Sequence, residues 1–311
     1  MDIIGKRYLY FGISLLVIIP GLLALALWGL PLAIDFTGGS LLEVRFDKAA
    51  PPPEEVIALY KEFGIGDTTV QTTTNNTIIV RSKSMDEATM NKLVRAMEKK
   101  FGSKAEVVQF SSVGPSVGKE VAQRAAGAVA LSALAILLYI TYAFRGVPHA
   151  VRYGTAAIIA MLHDVAVTVG MEAIFGHFLH WEADAMFLTA LLTIIGFSVH
   201  DSIVVFDRIR ENSRRYRRLP YETLVNHSIV QTLDRSINTQ LTVMLTLFTL
   251  ALFGGVTTRH FVIILLIGIF SGTYSSIFNA APILIVWENR EWRCWLKGKL
   301  TCKGEEAATV A

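Results

Sequence analysis

The sequence predicts a polytopic α-helical membrane protein that carries one water-exposed α+β domain. Hydrophobic residues make up 52% of the 311 residues and charged residues only 18%, below the proportion of about a quarter that is typical of soluble domains. The apolar residues fall into six blocks, each long enough to cross a bilayer as a helix. One long polar segment between the first and second blocks indicates a domain outside the membrane.

The first apolar block predicts an uncleaved transmembrane helix rather than a signal peptide. It runs from Tyr8 to Leu30 without a charged residue, whereas the apolar core of a signal peptide is about 7–15 residues long. No convincing small-residue cleavage site follows it. We therefore assign residues 1–30 to the N-terminal segment and the first span.

The polar insert, residues 31–118, has the pattern of a small α+β domain. Strand-like and helix-like runs follow in the order β-α-β-β-α-β, which is typical of a ferredoxin-like domain. The Asn75-Asn76 pair indicates a hairpin turn between the two middle strands. The insert shows no nucleophile–base set, phosphate loop or metal cluster, which favours binding or mechanical coupling over catalysis. The predicted runs are Leu41–Phe46, Pro53–Phe63, Thr69–Thr73, Thr77–Arg81, Asp86–Phe101 and Ala105–Phe110.

Two glycine motifs flank this domain, at Ile34–Gly39 and Ser112–Gly118. One interpretation is turn chemistry, because glycine adopts positive φ angles and proline restricts φ. The other is a hinge between the domain and the membrane spans. The residues concerned are Gly38, Gly39, Gly114, Pro115 and Gly118.

Five more spans are predicted within residues 119–290, and residues 291–311 form a polar tail. The tail contains the two cysteines, Cys294 and Cys302, which we interpret as free thiols in a reducing compartment. The amphipathic run Tyr221–Leu233 either lies on the membrane surface or extends the fifth span. The predicted spans are Ala125–Phe144, Tyr153–Phe175, Ala185–Phe206, Asn238–Gly254 and Phe261–Trp287.

The distribution of positive charge predicts the orientation, since cytoplasmic loops are enriched in Lys and Arg. The segments before span one, between spans two and three, between spans four and five, and after span six are rich in these residues. The two remaining short connections hold one arginine. Both termini are therefore predicted to be cytoplasmic, and the polar insert extracytoplasmic.

Ionisable residues inside apolar spans are costly and indicate function. Asp201 lies in span four, and span five is expected to begin near Arg235, at a similar depth. We expect these two side chains to meet and to form a proton relay, with a static ion pair or a snorkelling contact as the alternatives. His200 is either a titrating helper or a neutral histidine that bonds to another helix.

Two further acids lie in span three. Asp164, beside His163, is near the middle of the span and is predicted either to line a proton or water path or to make a packing hydrogen bond. Glu172 is closer to the external end, where we expect it to be solvated.

Two other features have competing interpretations. The basic loop Asp207–Arg218 either binds anionic lipid headgroups or acts only as a topology signal. Gly268 and Gly272 in span six form a small-xxx-small pair that favours close helix packing.

The run from Gly196 to Asn212, GFSVHDSIVVFDRIREN, resembles the signature of the SecF family. The other similarities occur in the same order as in that family and extend over nearly the whole chain, up to about Trp295. They are Ile34–Gly39, Ser112–Gly118, Asp164-Val165, Arg235–Thr239 and Gly272–Phe278. The family commonly has asparagine at the position of His200, and this difference could change the pH dependence of a relay.

The resemblance implies a fold, partners and site residues. It implies one half of a resistance-nodulation-division-like exporter, with six spans and an external domain after the first. SecD would supply the other half, and the pair would act with the SecYEG channel on a translocating preprotein in the bacterial cytoplasmic (inner) membrane. The proton pathway of the family would correspond to Asp201 and Arg235, and also to Asp164.

Two other functions compete with a proton-coupled export subunit. A proton-driven exporter of lipids or small molecules would need a larger external domain than residues 31–118. A non-transporting scaffold would not need Asp201 and Arg235. No catalytic constellation, cofactor motif or metal-ligand spacing is present in the sequence, so we predict neither an enzyme nor a cofactor or metal site, and the net charge of +3 does not indicate nucleic-acid binding.

Overall fold

The structure, a computed structural model, describes residues 1–73, 76–145 and 150–291, without the side chains of residues 256 and 257. The chain forms two compact units, Leu32–Ala128 and the combination of Met1–Pro31 with Val129–Ala311. The predicted tail with Cys294 and Cys302 lies outside the described residues, apart from Glu291.

The helices and strands follow in the order of the sequence patterns. The helices are α1 (Arg7–Trp28), α2 (Ile34–Thr37), α3 (Pro53–Glu62), α4 (Glu87–Phe101), α5 (Pro115–Ala143), α6 (Ala150–Leu179), α7 (Ala185–Arg215), α8 (Tyr221–Phe253), α9 (Val256–Ser275) and α10 (Ala281–Glu288). The strands are β1 (Gly39–Phe46), β2 (Thr69–Thr72), β3 (Thr77–Ser82) and β4 (Ala105–Val113).

Six helices of the described chain are long and apolar enough to cross a membrane, which confirms the six predicted spans. They are α1, α5, α6, α7, α8 and the continuous helix formed by α9 and α10. Several of them are longer than the predicted spans, including α5 at its start and α6 at both ends. α7 continues through charged sequence to Arg215, and α8 already begins at Tyr221, so Tyr221–Leu233 extends the fifth span instead of lying on the surface.

The six spans divide into a central and a peripheral group. α6, α7 and the α9–α10 helix are the most buried, whereas α1, α5 and α8 are largely exposed. The exposed faces are apolar and include Leu16, Leu138 and Phe253, the last of which is 85% exposed. Such faces suit contact with lipid tails or with a partner helix. The buried acids Asp164, Glu172 and Asp201 all belong to the central helices.

Glycine permits two close helix contacts within the bundle. A Cβ atom added to Gly170 on α6 would lie 2.6 Å from the Cα atom of Gly21 on α1, so these helices touch through their backbones. On α9, an added Cβ at Gly268 would meet the side chain of Ile194 at 2.1 Å, and one at Gly272 would lie 3.3 Å from Ser198 on α7. The small-xxx-small pair thus packs against α7, as the sequence predicts.

A π-helical turn, Ser276–Ala280, separates α9 from α10. Pro282 in the first turn of α10 lacks an N–H group and crowds the carbonyl four residues earlier, which accounts for the local widening. Turns of this kind occur frequently at functional sites.

A buried ion pair ties the first and last spans together at the end of the bundle that holds the N-terminus. The Arg7 guanidinium bonds to both carboxylate oxygens of Glu291, and Tyr8 and Asn289 also donate to this carboxylate. Burial by itself would raise the pKa of Glu291, but the hydrogen bonds from Arg7, Tyr8 and Asn289 outweigh it and hold the pKa below its ordinary value.

The second unit contains a four-stranded antiparallel sheet in the order β2-β3-β1-β4. The succession β1, α3, β2, β3, α4, β4 confirms the predicted order of elements. Alternate residues of β1, namely Leu42, Val44 and Phe46, are buried against α3 and α4, as expected for a sheet with one covered face. The strands β2 and β3 pair as the predicted hairpin, although Thr74 and Asn75 lie outside the described residues.

Candidate functional site

A buried carboxylate, Asp164, lies where three central helices meet. It is fully buried and accepts four hydrogen bonds. At Oδ2 the donors are Ser198 Oγ on α7 and Ser275 Oγ on α9, both at 2.6 Å. At Oδ1 they are Ser271 Oγ on α9 at 2.7 Å and the neighbouring His163 Nδ1 at 2.9 Å. Since an ionised carboxylate has about four acceptor positions, the hydrogen-bonding capacity of Asp164 is filled.

The helix positions explain why these donors converge. Ser271 and Ser275 are four residues apart and therefore share one face of α9. Gly272 lies between them, and a Cβ atom there would be 3.7 Å from Asp164 Oδ2. The small residue thus allows α6, α7 and α9 to approach closely enough for hydroxyl groups to reach one carboxylate.

His163 leaves one nitrogen available. Its Nδ1 contacts Asp164, while its buried Nε2 has no hydrogen-bond partner in the described part of the chain. A neutral imidazole that donates from Nδ1 has an acceptor at Nε2. The His163–Asp164 pair can therefore accept a proton at Nε2 without losing its internal hydrogen bond.

Asp201 is the second buried carboxylate, with 4% of its surface exposed. Its partner is Gln240 on α8, whose Nε2 lies 2.5 Å from Oδ2. The expected contact with Arg235 is absent among the described ion pairs, and Arg235 is exposed on α8. The reason is the helix geometry: α8 begins earlier than its apolar block, and it is Gln240, about 7.5 Å further along the helix axis, that faces Asp201. His200, next to Asp201 on α7, is exposed.

Gln240 can serve both protonation states of Asp201. Its amide nitrogen donates to the carboxylate, whereas its buried Oε1 has no partner within the described residues. Because an amide carries both donors and an acceptor, rotation of the amide would let Oε1 accept a hydrogen bond from a protonated Asp201. A guanidinium could donate only, and would favour the ionised state alone.

Serine hydroxyl groups connect the surroundings of the two acids. Ser198 and Asp201 are one turn apart on α7, about 4.5 Å along the axis. Ser202 donates to Ser276 at 3.1 Å, and Ser276 donates to the backbone carbonyl of Ser198 at 3.0 Å. The π-helical turn begins at Ser276, so the irregular segment of the last span takes part in this polar layer.

The expectation that Glu172 is solvated is wrong. Glu172 is fully buried, and its Oε2 lies 2.9 Å from Nε2 of His260 on α9. The short distance to the end of the predicted span suggested exposure, but α6 continues to Leu179 and α9 covers this face.

Several of these residues were not identified as site residues from the sequence. Ser271, Ser275 and Ser276 lie in the part of span six that the sequence indicated only as a packing face, and no sequence motif indicated a role for Gln240 or His260. A usable signal was present in the spacing, because polar residues recur every four positions within apolar helices and so share one face. Such series are Asp164, Thr168 and Glu172 on α6, Ser271 and Ser275 on α9, and Ser236 and Gln240 on α8.

The two glycine motifs contact each other within the second unit. Gly38 has a φ of +75°, and a Cβ atom there would lie 2.6 Å from the Cα atom of Pro115. A Cβ at Gly118 would lie 2.6 Å from the backbone nitrogen of Gly38. Gly39, with a φ of +130°, opens β1 and pairs with Val113 of β4. The close backbone approach explains why side chains are excluded at Gly38 and Gly118, while Gly114 would have nearly open space around an added Cβ.

Comparison with known proteins identifies the family. Residues 93–290 match the family of the C-terminal region of the protein export membrane proteins SecD and SecF, and residues 29–50 match the SecD/SecF GG motif. The protein translocase subunit SecF of Anaerolinea thermophila is 59% identical over 96% of this chain and 97% of the relative. The corresponding subunit of Thermobaculum terrenum is 49% identical over 94% of this chain and 95% of the relative.

A solved structure agrees with this assignment. The crystal structure of SecDF from Thermus thermophilus, described as a translocon-associated membrane protein, superposes with a TM-score of 0.80 at 33% identity. It covers 93% of this chain, which in turn spans 39% of that longer protein. The sequence motifs, the six spans and the superposition agree, and the chain belongs to the SecD/SecF family of protein-export membrane proteins, among its SecF members.

Proposed function

We propose that this protein is a SecF-type subunit of the Sec protein translocase, which works with SecD and uses the proton motive force to promote preprotein movement through the SecYEG channel. The observation that carries this proposal is Asp201, a buried carboxylate near the middle of the spanning helix α7 whose partner is an amide. The relatives named as protein translocase subunits support the export role.

The two buried acids differ in what they can do. Four donors fill the acceptor positions of Asp164, so this group suits a fixed negative centre that orders α6, α7 and α9. Asp201 has a partner that fits both its ionised and its protonated form. We therefore assign proton carriage to Asp201, with Asp164 as the polar group that shapes the pathway beside it.

Arg235 and His200 belong to this proposal as exposed groups. His200 is exposed on α7, next to Asp201, and Arg235 is exposed on the neighbouring helix α8, so both are accessible to a partner subunit. In the proposed complex, Arg235 faces SecD or reaches Asp201 in another state of the bundle, and His200 assists as a second titratable group.

The energy of one proton is sufficient for such a role. A proton that crosses a potential of about 100 mV releases about 2.3 kcal/mol. Since 1.4 kcal/mol corresponds to a tenfold change in an equilibrium, this would shift a two-state motion of the subunit about fifty-fold.

The proposed orientation places both termini in the cytoplasm of a bacterial cell, with the protein in the inner membrane. Basic residues cluster at the end of the bundle that holds the N-terminus, on the segments before α1, before α6 and between α7 and α8. The segment Asp207–Arg218 is positioned to contact anionic lipids. Residues 31–118 then form an extracytoplasmic domain of ferredoxin-like fold, as the strand order β2-β3-β1-β4 supports.

Gly38, Gly39, Gly114, Pro115 and Gly118 are proposed as the junction through which this domain moves. The domain would act on the preprotein mechanically, and the subunit would not catalyse a covalent reaction.

The test is secretion in cells that carry Asp201→Asn as their only copy. We expect secretion driven by the proton gradient to be lost while membrane levels and SecD co-purification are unchanged. The matched control is Asp207→Asn, because Asp207 is an exposed acid on the same helix that pairs with Arg210. Normal secretion by the Asp201 variant would refute proton carriage at this residue and favour a scaffold.

A further inference from the structure

The pair of Glu172 and His260 forms a second polar centre at the opposite end of the bundle from the N-terminus. Glu172 lies on α6, two turns after Asp164, or about 12 Å further along the helix axis. His260 lies in the second turn of α9. Their side chains meet at 2.9 Å, with the glutamate side chain fully buried and the histidine side chain 20% exposed.

The hydrogen bonding of Glu172 is incomplete. Oε2 contacts His260 Nε2, whereas the buried Oε1 has no hydrogen-bond partner among the described residues. Asp164, on the same face of α6, receives four hydrogen bonds, so this face can be surrounded by enough donors to fill a carboxylate. A buried carboxylate with one open oxygen is poorly suited to a static ion pair, but it offers a place for a proton.

The pair can hold this proton without rearrangement. When Glu172 is ionised and His260 is protonated, His260 Nε2 donates to Oε2. A proton that adds to Oε1 makes the carboxyl group neutral and leaves the hydrogen bond at Oε2 intact. The exposed part of His260 provides access from solution, and its ring packs against Trp181 at 4.4 Å between centroids.

The same helix faces lead from this pair towards the central acids. Thr168 lies midway between Glu172 and Asp164, is fully buried, and donates its hydroxyl to the backbone carbonyl of Asp164. On α9, His260 and Ser271 lie on the face that packs against α6. A polar stripe thus runs along the seam between α6 and α9, in helices that are otherwise apolar.

Among the other titratable groups near this end, His177, His180 and Arg259 are exposed, and Glu182 and Asp184 are partly buried. The halves of α1, α7 and α8 that lie at this end of the bundle contain no titratable side chain. His177 stacks on Trp28, and Asp184 caps α7 by accepting from the Phe187 backbone N–H. The titratable groups of the neighbouring segments are His177, His180, Glu182, Asp184 and Arg259.

We propose that Glu172 and His260 form a proton-exchange site that takes up a proton from the aqueous phase at this end and passes it into the seam between α6 and α9. The transport role of this site rests on the proposed function, under which this end is extracytoplasmic. Proton binding itself does not depend on that function, because it follows from the open oxygen and the partly exposed histidine.

Proton binding is tested by infrared difference spectroscopy of the purified full-length protein in liposomes, with a change of pH as the trigger. We expect a carboxylic acid band that is absent in Glu172→Gln and retained in Asp201→Asn. A spectrum of Glu172→Gln that equals that of the unmodified protein would overturn the proposal.

The transport role is tested by the dependence of secretion on external pH in cells that carry one variant as the only copy. We expect Glu172→Gln and His260→Gln to move this profile by at least about one pH unit, which is tenfold in proton affinity, and Glu172→Asp to restore part of it. The control is His180→Asn, because His180 is an exposed histidine at the same end with a positive φ that asparagine tolerates.

The two proposals fail in different ways. If Asp201→Asn abolishes secretion while both Glu172 and His260 variants keep the normal profile, the exchange site is refuted and the export function stands. If Asp201→Asn secretes normally, the export mechanism fails, and the infrared band alone decides whether Glu172 binds a proton. If Glu172→Gln does not reach the membrane, a normal profile for His260→Gln and Glu172→Asp at full membrane levels refutes the site.

Discussion

The contact between Gly21 and Gly170 allows a sharp test of how closely α1 and α6 must pack. We predict that Gly170→Ala destabilises the bundle, because the new Cβ atom would lie 2.6 Å from the Cα atom of Gly21. Carbon atoms prefer a separation of about 3.5–4.0 Å, so the helices must move apart by about 1 Å. A gap of about that size forfeits a quarter to a half of the dispersion attraction along the contact.

The expected cost is about 1–3 kcal/mol, the usual range for overpacking. Gly12→Ala is the matched control, since Gly12 lies on α1, the helix of Gly21, and has nothing within 4 Å of an added Cβ. Alanine favours a helix over glycine by about 1 kcal/mol at either position. The difference between the two variants therefore isolates the steric effect of the contact.

The assay is loss of helical circular dichroism on heating the purified protein in detergent. Gly170→Ala should unfold several degrees below Gly12→Ala. Gly21→Ala should behave like Gly170→Ala, because its Cβ atom would meet the Cα atom of Gly170 at 2.9 Å. Equal thermal stability of Gly170→Ala and Gly12→Ala would refute the claim that this backbone contact holds α1 against α6.

Two further predictions concern single polar side chains. Gln240→Leu removes the hydrogen-bond donor to Asp201, and a hydrogen bond to a charged group is worth about 1.5–3 kcal/mol, so secretion should fall about tenfold or more. The control variant Asn238→Leu, at an exposed position of α8, should secrete normally. Equal secretion by the two variants would contradict the role of the Gln240 amide. The pKa of Glu291 lies below its ordinary value of 4.5, so its stabilisation is complete above pH 4.5 and is lost as the pH falls through the lower folded pKa. When the unfolding temperature is measured at decreasing pH, the unmodified protein should lose this stabilisation and Glu291→Gln should show no such loss. The control variant Glu106→Gln, at an exposed position, should behave like the unmodified protein.

The fold was largely predictable because its signals are local. A span requires a long apolar run, since every backbone group in lipid must bond within the helix, and each of the six runs became a helix. The order of elements in residues 31–118 followed from periodicity and from turn residues. Element ends were less predictable: α7 and α8 extend into charged sequence, because the backbone can continue a helix in water after the apolar signal has ended.

The acids themselves were identifiable from the sequence, since a charged residue in an apolar run is conspicuous. Their partners were not. The expectation of an Asp201–Arg235 contact used charge complementarity and approximate depth, but rotation of α8 about its axis determines which residue faces α7, and it brings Gln240 there. The burial of Glu172 likewise depends on α9 covering α6.

The sequence by itself determined the membrane class, the six spans, the small domain after the first span and the family, because hydropathy, periodicity and motifs are properties of neighbouring residues. Only the tertiary structure decided that Asp164 has four donors, that Asp201 pairs with an amide, and that Glu172 meets His260. These contacts join residues that are far apart in the chain, and they depend on the rotation and close approach of α6, α7, α8 and α9, which no local pattern specifies.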